Sequence, residues 1–499
     1  MSARPITFYF RGQCQQIEML APTTTVLQYL REYVSAEKTR QTGTKEGCAE
    51  GDCGACTVVI GELVNNQLQL RSVNACIQFL PTLDGKALFT VEDLQQLISA
   101  STGQMHPVQQ AMVEQHGSQC GFCTPGFIMS LWSMYENELH APNKEKVSDY
   151  VSGNLCRCTG YRPILDAAQQ AYNYPRVQLE REKVIKVLTE IHALPSLELN
   201  YQGQQFFAPK TLQEFASLRQ QFPQARIVAG STDVGLWVTK LGRNLGDMLY
   251  IGQVEELKKI TVNNDQLEIG ANVSLSDALA KISDIYPDFS ELQRRFASMP
   301  IKNAGTLGGN IANGSPIGDS MPALITLDTM LRLRCGEQTR EITLADFYLD
   351  YQKTALQAGE FVEAILVPIR EPSETFKFAT YKISKRFEQD ISAVCAALSC
   401  ELDENKVVQT IKIAFGGMAA IPKRAFNTEK VLLRQVITPE LLEQAQIALA
   451  QDYQPLSDGR ASSAYRLQVA QNCLQRFYVE KIQAQNLTRV EDLIALVEV

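Results

Sequence analysis

The residues best able to do chemistry in this sequence are cysteines, thirteen in all, eight of them between positions 48 and 158. Cys48, Cys53 and Cys56 share one glycine-rich stretch, GCAEGDCGAC, and Cys76 follows at a distance. Thiolates spaced Cys-x4-Cys-x2-Cys, with a remote fourth, are a ligand pattern of a [2Fe–2S] cluster. The spacing makes the backbone curl around its metal, and the loop's glycines permit that curl while N–H groups approach the sulfurs. Those donors matter because a cluster of ferric ions, sulfides and thiolates is anionic and must be held away from water. A zinc site or free buried thiols are the competing readings, and the short glycine-rich loop suits a cluster better.

A second set arrives as two tight pairs: Cys120 and Cys123 in QCGFCTPG, Cys156 and Cys158 in GNLCRCTGYRPI. Each pair leads into an expected helix, with Thr124 as cap before Pro125 and Pro163 opening the other run. Helix N-termini carry partial positive charge, which favours thiolates and the anionic cluster they hold. Taken alone these four cysteines fit zinc or [2Fe–2S]; a cluster site just upstream favours a second redox centre. His116 precedes Cys120 and is a candidate ligand, but four cysteines already complete a site, so a surface histidine is the simpler expectation.

Two small-residue loops point to different chemistry. Arg226, Ile227, Val228, Ala229, Gly230, Ser231, Thr232, Asp233 and Val234 read as a buried strand running into a loop. The other, KNAGTLGGNIAN at 302–313, includes Thr306, Gly309, Asn310, Ala312 and Asn313. Such loops offer N–H groups and hydroxyls to a pyrophosphate. Neither matches the Gly-x-Gly-x-x-Gly fingerprint, and each alone reads as an ordinary βα turn.

The elements that must position these residues follow from periodicity. Strands at 6–10 and around 16–20, a helix over 25–33 capped by Thr23 or Thr24, and a β-branched strand at 57–60 frame the first cysteine set. Apolar steps of three and four over 91–98, 107–114, 127–135, 145–151 and 164–172 predict a small bundle of helices around the second. A charged amphipathic helix over 179–192 reads as a solvated connector. Strand and helix then alternate, an α/β pattern, before strands at 376–383, 392–402 and 407–415. The domains expected are therefore 1–86, 87–175, 206–372 and 373–485, with a linker at 176–205 and an apolar tail at 486–499. Cys395 and Cys400 should face core or interface, not a metal.

Composition narrows the function. The chain exceeds what one core supports, and 45% hydrophobic with 20% charged residues is ordinary for a globular protein. A net charge of −8 argues against nucleic acid as a partner, and no apolar run approaches the ~20 residues of a membrane span. The first residues lack a secretory apolar stretch, so a cytoplasmic chain with metal-binding thiols is expected, not a disulfide framework.

Together, GDCGACT, QCGFCTPG and GNLCRCTGYRPI resemble the xanthine dehydrogenase branch of the molybdenum hydroxylases, across both cysteine regions. The resemblance implies a multidomain α+β protein: a β-grasp ferredoxin-like domain and a four-helix [2Fe–2S] bundle, then two flavin domains. The first of these is an α/β FAD-binding domain of the non-Rossmann, vanillyl-alcohol-oxidase-like type; the second is an α+β C-terminal flavoprotein domain. It implies that FAD lies along residues 226–234 and against Thr306, Gly309, Asn310, Ala312 and Asn313. Phe296 would lie by the flavin ring, Asp319 and Val362 near the rest, and Lys382, after Thr380 and Tyr381, in contact with it. The loop 384–390 would receive NAD, with Tyr351 and Asp390 as nicotinamide candidates; Phe387 and Gln389, where the family often has charge, leave NAD open.

The same resemblance implies a small subunit whose large partner carries molybdopterin and oxidises hypoxanthine and xanthine to urate, in a dimer of heterodimers. Electrons would pass through the two clusters to FAD and NAD. A related enzyme for aldehydes or N-heterocycles, a stand-alone NADH-oxidising flavoprotein and a zinc scaffold are the alternatives.

Overall fold

The structure is a computed structural model that describes residues 2–18, 20–34, 41–95, 97, 105–263, 265–370, 373–387 and 389–485. The expected apolar tail at 486–499 and Glu388 lie outside these residues. The chain divides into two units: Met1–Glu256 with Ser274–Ser276 and Ala297–Thr306, and Leu257–Val273 with Asp277–Phe296 and Leu307–Val499.

In the first unit, β-branched and aromatic residues make a five-stranded sheet ordered Gln13–Ile17, Ile6–Phe10, Ala87–Phe89, Thr57–Val64, Gln67–Asn74. Ile6–Phe10 and Ala87–Phe89 run parallel and all other neighbours antiparallel, the β-grasp pattern. The second strand begins earlier in the chain than expected because Arg11 and Gly12, both at positive φ, close a two-residue turn. Thr25, not Thr23 or Thr24, caps the following helix: its hydroxyl accepts the Gln28 N–H at 3.1 Å and Gln28 Oε1 accepts the Thr25 N–H at 2.9 Å.

Four helices, Pro107–Glu114, Thr124–Asn137, Lys144–Val151 and Arg162–Gln170, close around Phe127, Trp132, Val147 and Ile164. The helix expected over 91–98 is a single turn at Asp93–Gln95, where Asp93 accepts the Thr90 N–H at 2.6 Å; residues 96 and 98 lie outside the described residues. The connector is also more than a linker. Helix Arg181–His192 buries Val184, Leu188 and Ile191 in the bundle's core, an apolar face that its alternating charges disguise. Strand Leu197–Tyr201 then joins a second sheet ordered Ser2–Ala3, Leu197–Tyr201, Gln204–Ala208, Met248–Tyr250, Arg226–Val228.

The second unit holds an antiparallel sheet ordered Ile260–Val262, Gln266–Gly270, Phe361–Pro368, Met330–Cys335, Gln338–Thr343, with helix Leu307–Asn313 against Phe361–Pro368. A four-stranded antiparallel sheet, Phe376–Ile383, Val394–Leu402, Val408–Gly416, Lys423–Arg424, packs on helices Pro439–Asp452 and Ser463–Phe477. Cys395 and Cys400 are buried on its central strand. Among the described residues no helix is long and apolar enough to cross a membrane.

Candidate iron–sulfur and flavin sites

Residues 47–56 curl immediately ahead of strand Thr57–Val64, and Cys76 follows strand Gln67–Asn74. The ladder between these strands pairs Thr57 with Asn74, and the Ala75 N–H donates to Cys56 O at 3.2 Å, so Cys56 and Cys76 are brought to one end of the hairpin. Cys48 meets the thiols of Cys53 and Cys76, and Cys76 also meets Cys56. Cys48 Sγ accepts the N–H groups of Glu50 and Cys53, each at 3.4 Å. Hydrogen bonds from the Cys53 and Cys76 thiols, then from these amides, hold the Cys48 thiol far below its ordinary range. Cys53, against Cys48, and Cys76, against Cys48 and Cys56, are pushed up by those neighbouring thiols and by burial. Thiols pressed this close resist ionising together, and a cation among them relieves that resistance.

Cys123, not Thr124, takes the N-cap of helix Thr124–Asn137, and the Thr124 hydroxyl instead donates to Ser118 Oγ at 2.8 Å. Tyr161, at φ 68°, caps helix Arg162–Gln170, and its Oη accepts the Cys156 N–H at 3.0 Å. Cys120 meets Cys158, and Cys123 meets Cys156. Burial pushes the Cys123 thiol up to about 12. For Cys156 burial acts the same way, yet the Thr159 hydroxyl, donating at 3.2 Å, and the Thr159 and Cys158 amides hold it below its usual range. Cys120 and Cys158 are exposed, as is the Phe122 ring in the same loop. His116 is exposed in a left-handed turn.

The two thiol sets are tied by a residue the motif reading passed over. Asn154, buried, donates through Nδ2 to Gly54 O and Thr57 Oγ1, both at 3.1 Å, and accepts from Ser130 Oγ at 2.6 Å. The next amide, Leu155 N–H, donates to Cys53 O at 3.0 Å. At Gly54, φ 67°, a Cβ would stand 2.1 Å from Gly153 O, so no other residue fits. A polar residue between a glycine and the Leu-Cys pair was the available signal.

The residues expected to meet the flavin in the first unit form a tight loop between strand Arg226–Val228 and helix Val234–Thr239. A Cβ at Gly230 would lie 1.7 Å from Ala304 O. Ser231 is held at φ 60°, and its buried hydroxyl has no hydrogen-bond partner among the described residues. Thr306 is buried and bridges to Ser274. A strained, unpartnered hydroxyl on a glycine-tight backbone fits a phosphate-bearing cofactor.

In the second unit, Gly309, Asn310, Ala312 and Asn313 lie on the accessible side of helix Leu307–Asn313, while Leu307, Gly308 and Ile311 are buried. Lys382 donates to Asp319 Oδ2 at 2.5 Å and to Ser392 Oγ at 2.9 Å, and Ser392 Oγ donates to Asp319 Oδ1 at 2.5 Å. Ser392 carried no signal in sequence. Phe296 and Val362 are buried. Tyr351 is 58% exposed in the turn between Tyr348–Asp350 and Lys353–Thr354. Asp390 accepts the N–H groups of Arg386 at 2.9 Å and Ile391 at 3.0 Å; burial works against its charge, but these bonds and the Arg386 guanidinium hold the carboxyl below its usual range. The Phe387 ring lies under the guanidiniums of Arg294 and Arg295 at 5.3 and 4.7 Å.

Known families match in three stretches: a [2Fe-2S] binding domain over 90–169, the FAD binding domain in molybdopterin dehydrogenase over 199–370, and the CO dehydrogenase flavoprotein C-terminal domain over 379–481. The chain is 31% identical to a xanthine dehydrogenase of Emericella nidulans, with 99% of the chain and 40% of that protein aligned. It is 28% identical to the xanthine dehydrogenase/oxidase of Rattus norvegicus at the same coverages, 99% and 40%. It thus spans about two fifths of these relatives' length (40%). Among solved structures, a chain of a carbon monoxide dehydrogenase from Hydrogenophaga pseudoflava superposes with a TM-score of 0.51 at 25% identity, covering 54% of this chain and 94% of that one. With its [2Fe–2S]-binding and FAD-binding domains so matched, the chain belongs to the molybdenum hydroxylase family as an iron–sulfur and FAD-bearing polypeptide.

Proposed function

We propose that this chain is the electron-transfer subunit of a xanthine dehydrogenase. Cys48, Cys53, Cys56 and Cys76 hold one [2Fe–2S] cluster, and Cys120, Cys123, Cys156 and Cys158 hold another. The observation that carries the reading is the pair of four-thiol sets joined by the Leu155 N–H on Cys53 O, at 3.0 Å. When bound, the clusters supply one-electron and the flavin two-electron chemistry, so electrons from a molybdopterin-bearing partner reach FAD and then NAD.

The residues divide that work. Backbone donors at Glu50 and Cys53, and the Thr159 hydroxyl, stabilise anionic sulfur. Ser231 and the Gly230 backbone receive the cofactor's phosphates; Lys382 and Asp319 keep a fixed buried dipole for the flavin. The exposed Cys120, Phe122 and Cys158 face the partner. Tyr351 and Asp390 border the NAD site, and the domain limits follow the cysteine sets and flavin loops at 86, 372 and 485, with the segment 176–205 between the bundle and the FAD-binding domain packed onto the bundle through helix Arg181–His192.

The test is to isolate the chain with its partner and follow urate formation from xanthine while NAD is reduced. Turnover of aldehydes or another heterocycle alone would overturn the purine assignment while leaving the electron-transfer role. The likeness to a carbon monoxide dehydrogenase chain makes that second reading concrete, because the substrate is set on the partner.

A further inference from the structure

Two residues far along the chain hold the first cysteine loop from behind. Thr239, the last residue of helix Val234–Thr239, donates its hydroxyl to Ala49 O at 2.8 Å. Lys240, next in line, donates to Cys48 O at 3.0 Å and pairs with Glu50 Oε2 at 3.2 Å. The carbonyl of Ala49 and the N–H of Glu50 belong to one peptide, and in a trans peptide they point opposite ways. That N–H is one of the two amides donating to Cys48 Sγ, at 3.4 Å. Ala49 sits at φ 55°, a left-handed conformation that a non-glycine residue adopts only under constraint.

We propose that Thr239 and Lys240 are positioning residues that set the reduction potential of the cluster held by Cys48, Cys53, Cys56 and Cys76. The inference rests on that cluster assignment. By capping the outward carbonyl of Ala49, Thr239 locks the Glu50 amide onto the ligand sulfur, while Lys240 holds the neighbouring Cys48–Ala49 peptide and brings its charge to the loop. Amide donors and a nearby ammonium favour the more negative, one-electron-reduced cluster, so both residues raise its potential. Lys240 is about half exposed, with its side chain at 43%, and is shared with Glu50, so its part weakens with salt, whereas the hydroxyl's does not. A loop from the ferredoxin-like sheet is thereby tuned by the helix that continues the flavin loop of the same unit.

The experiment is an EPR-monitored redox titration of the iron-loaded chain, with the first cluster's signal identified by its persistence in Cys158→Ser. In Thr239→Val the reduced-to-oxidised ratio of that cluster at fixed potential should fall about fivefold, the equilibrium worth of one net hydrogen bond. For a one-electron couple a tenfold change is about 59 mV. Lys240→Met should shift the same way, less so at high salt, while Thr239→Ser titrates like the native chain and the second cluster is unmoved in all three. Selective loss of the first cluster in Thr239→Val, with retention in Thr239→Ser, would equally support the clamp. Fully loaded Thr239→Val and Lys240→Met chains with native potentials overturn this inference alone. A native chain that binds no iron overturns the cluster reading and this inference with it.

Discussion

Lys382 is almost inaccessible, its side chain 2% exposed, and it balances the Asp319 carboxylate at 9%. Removing one partner of such a pair leaves a buried charge, so Lys382→Met should destabilise the second unit by about 3–5 kcal/mol. Combining it with Asp319→Leu should restore much of the loss; strictly additive thermal shifts would contradict the coupling. His106 gives a pH signature. Its ring is buried and burial pushes it down to about 4 from an ordinary 6.5. Above pH 6.5 the ring is neutral folded or unfolded, and it contributes no pH dependence. As pH falls through 6.5 the unfolded chain takes the proton first, so stability is lost down to about pH 4, by about 3 kcal/mol in total. His106→Asn keeps an acceptor for the Val108 N–H, which His106 Nδ1 accepts at 3.3 Å, and should blunt that loss in thermal melts compared at neutral and acid pH; an unchanged acid sensitivity would refute it. These two residues differ in legibility. Lys382 could be singled out by motif resemblance, but Ser392 joins it only through strand pairing, and nothing in the sequence around His106 announces burial.

At the level of elements, the hairpin and the bundle meet where their glycines allow. Gly54→Ala places a Cβ against Gly153 O, at a φ of 67° that alanine resists, so both cysteine loops must move. We expect the purified variant to lose iron from both thiol sets, measured as iron per chain; full loading would show that the approach is dispensable. Local spacing made the cysteine loops and four bundle helices readable, because ligands and apolar stripes recur within a few residues. In helix Arg181–His192 the amphipathic pattern is legible, but not that its narrow apolar face packs into the bundle core, because alternating charges resemble a solvated face. Thr239 and Lys240 were unreadable for another reason: their partners lie 190 and 192 residues away in the chain, and only the fold joins them.

Across the whole molecule, two units carry separate sets of the residues proposed to hold cofactors, with all eight proposed cluster cysteines in the first. The residues proposed to meet the flavin fall in both: 226–234 and Thr306 in the first, and Phe296, 309–313, Asp319, Val362 and Lys382 in the second. The chain's family was legible from cysteine motifs alone, whereas the split of the flavin residues was not, because chain order does not follow the partition. The central claim is that the eight cysteines hold two distinct [2Fe–2S] clusters. Iron and flavin quantification with low-temperature EPR of the dithionite-reduced chain tests it most directly. The expected result is about four irons and one FAD per chain with two separable signals, one of which disappears in Cys158→Ser while the other stays. Zinc in place of iron, or a single signal untouched by Cys158→Ser, would contradict it.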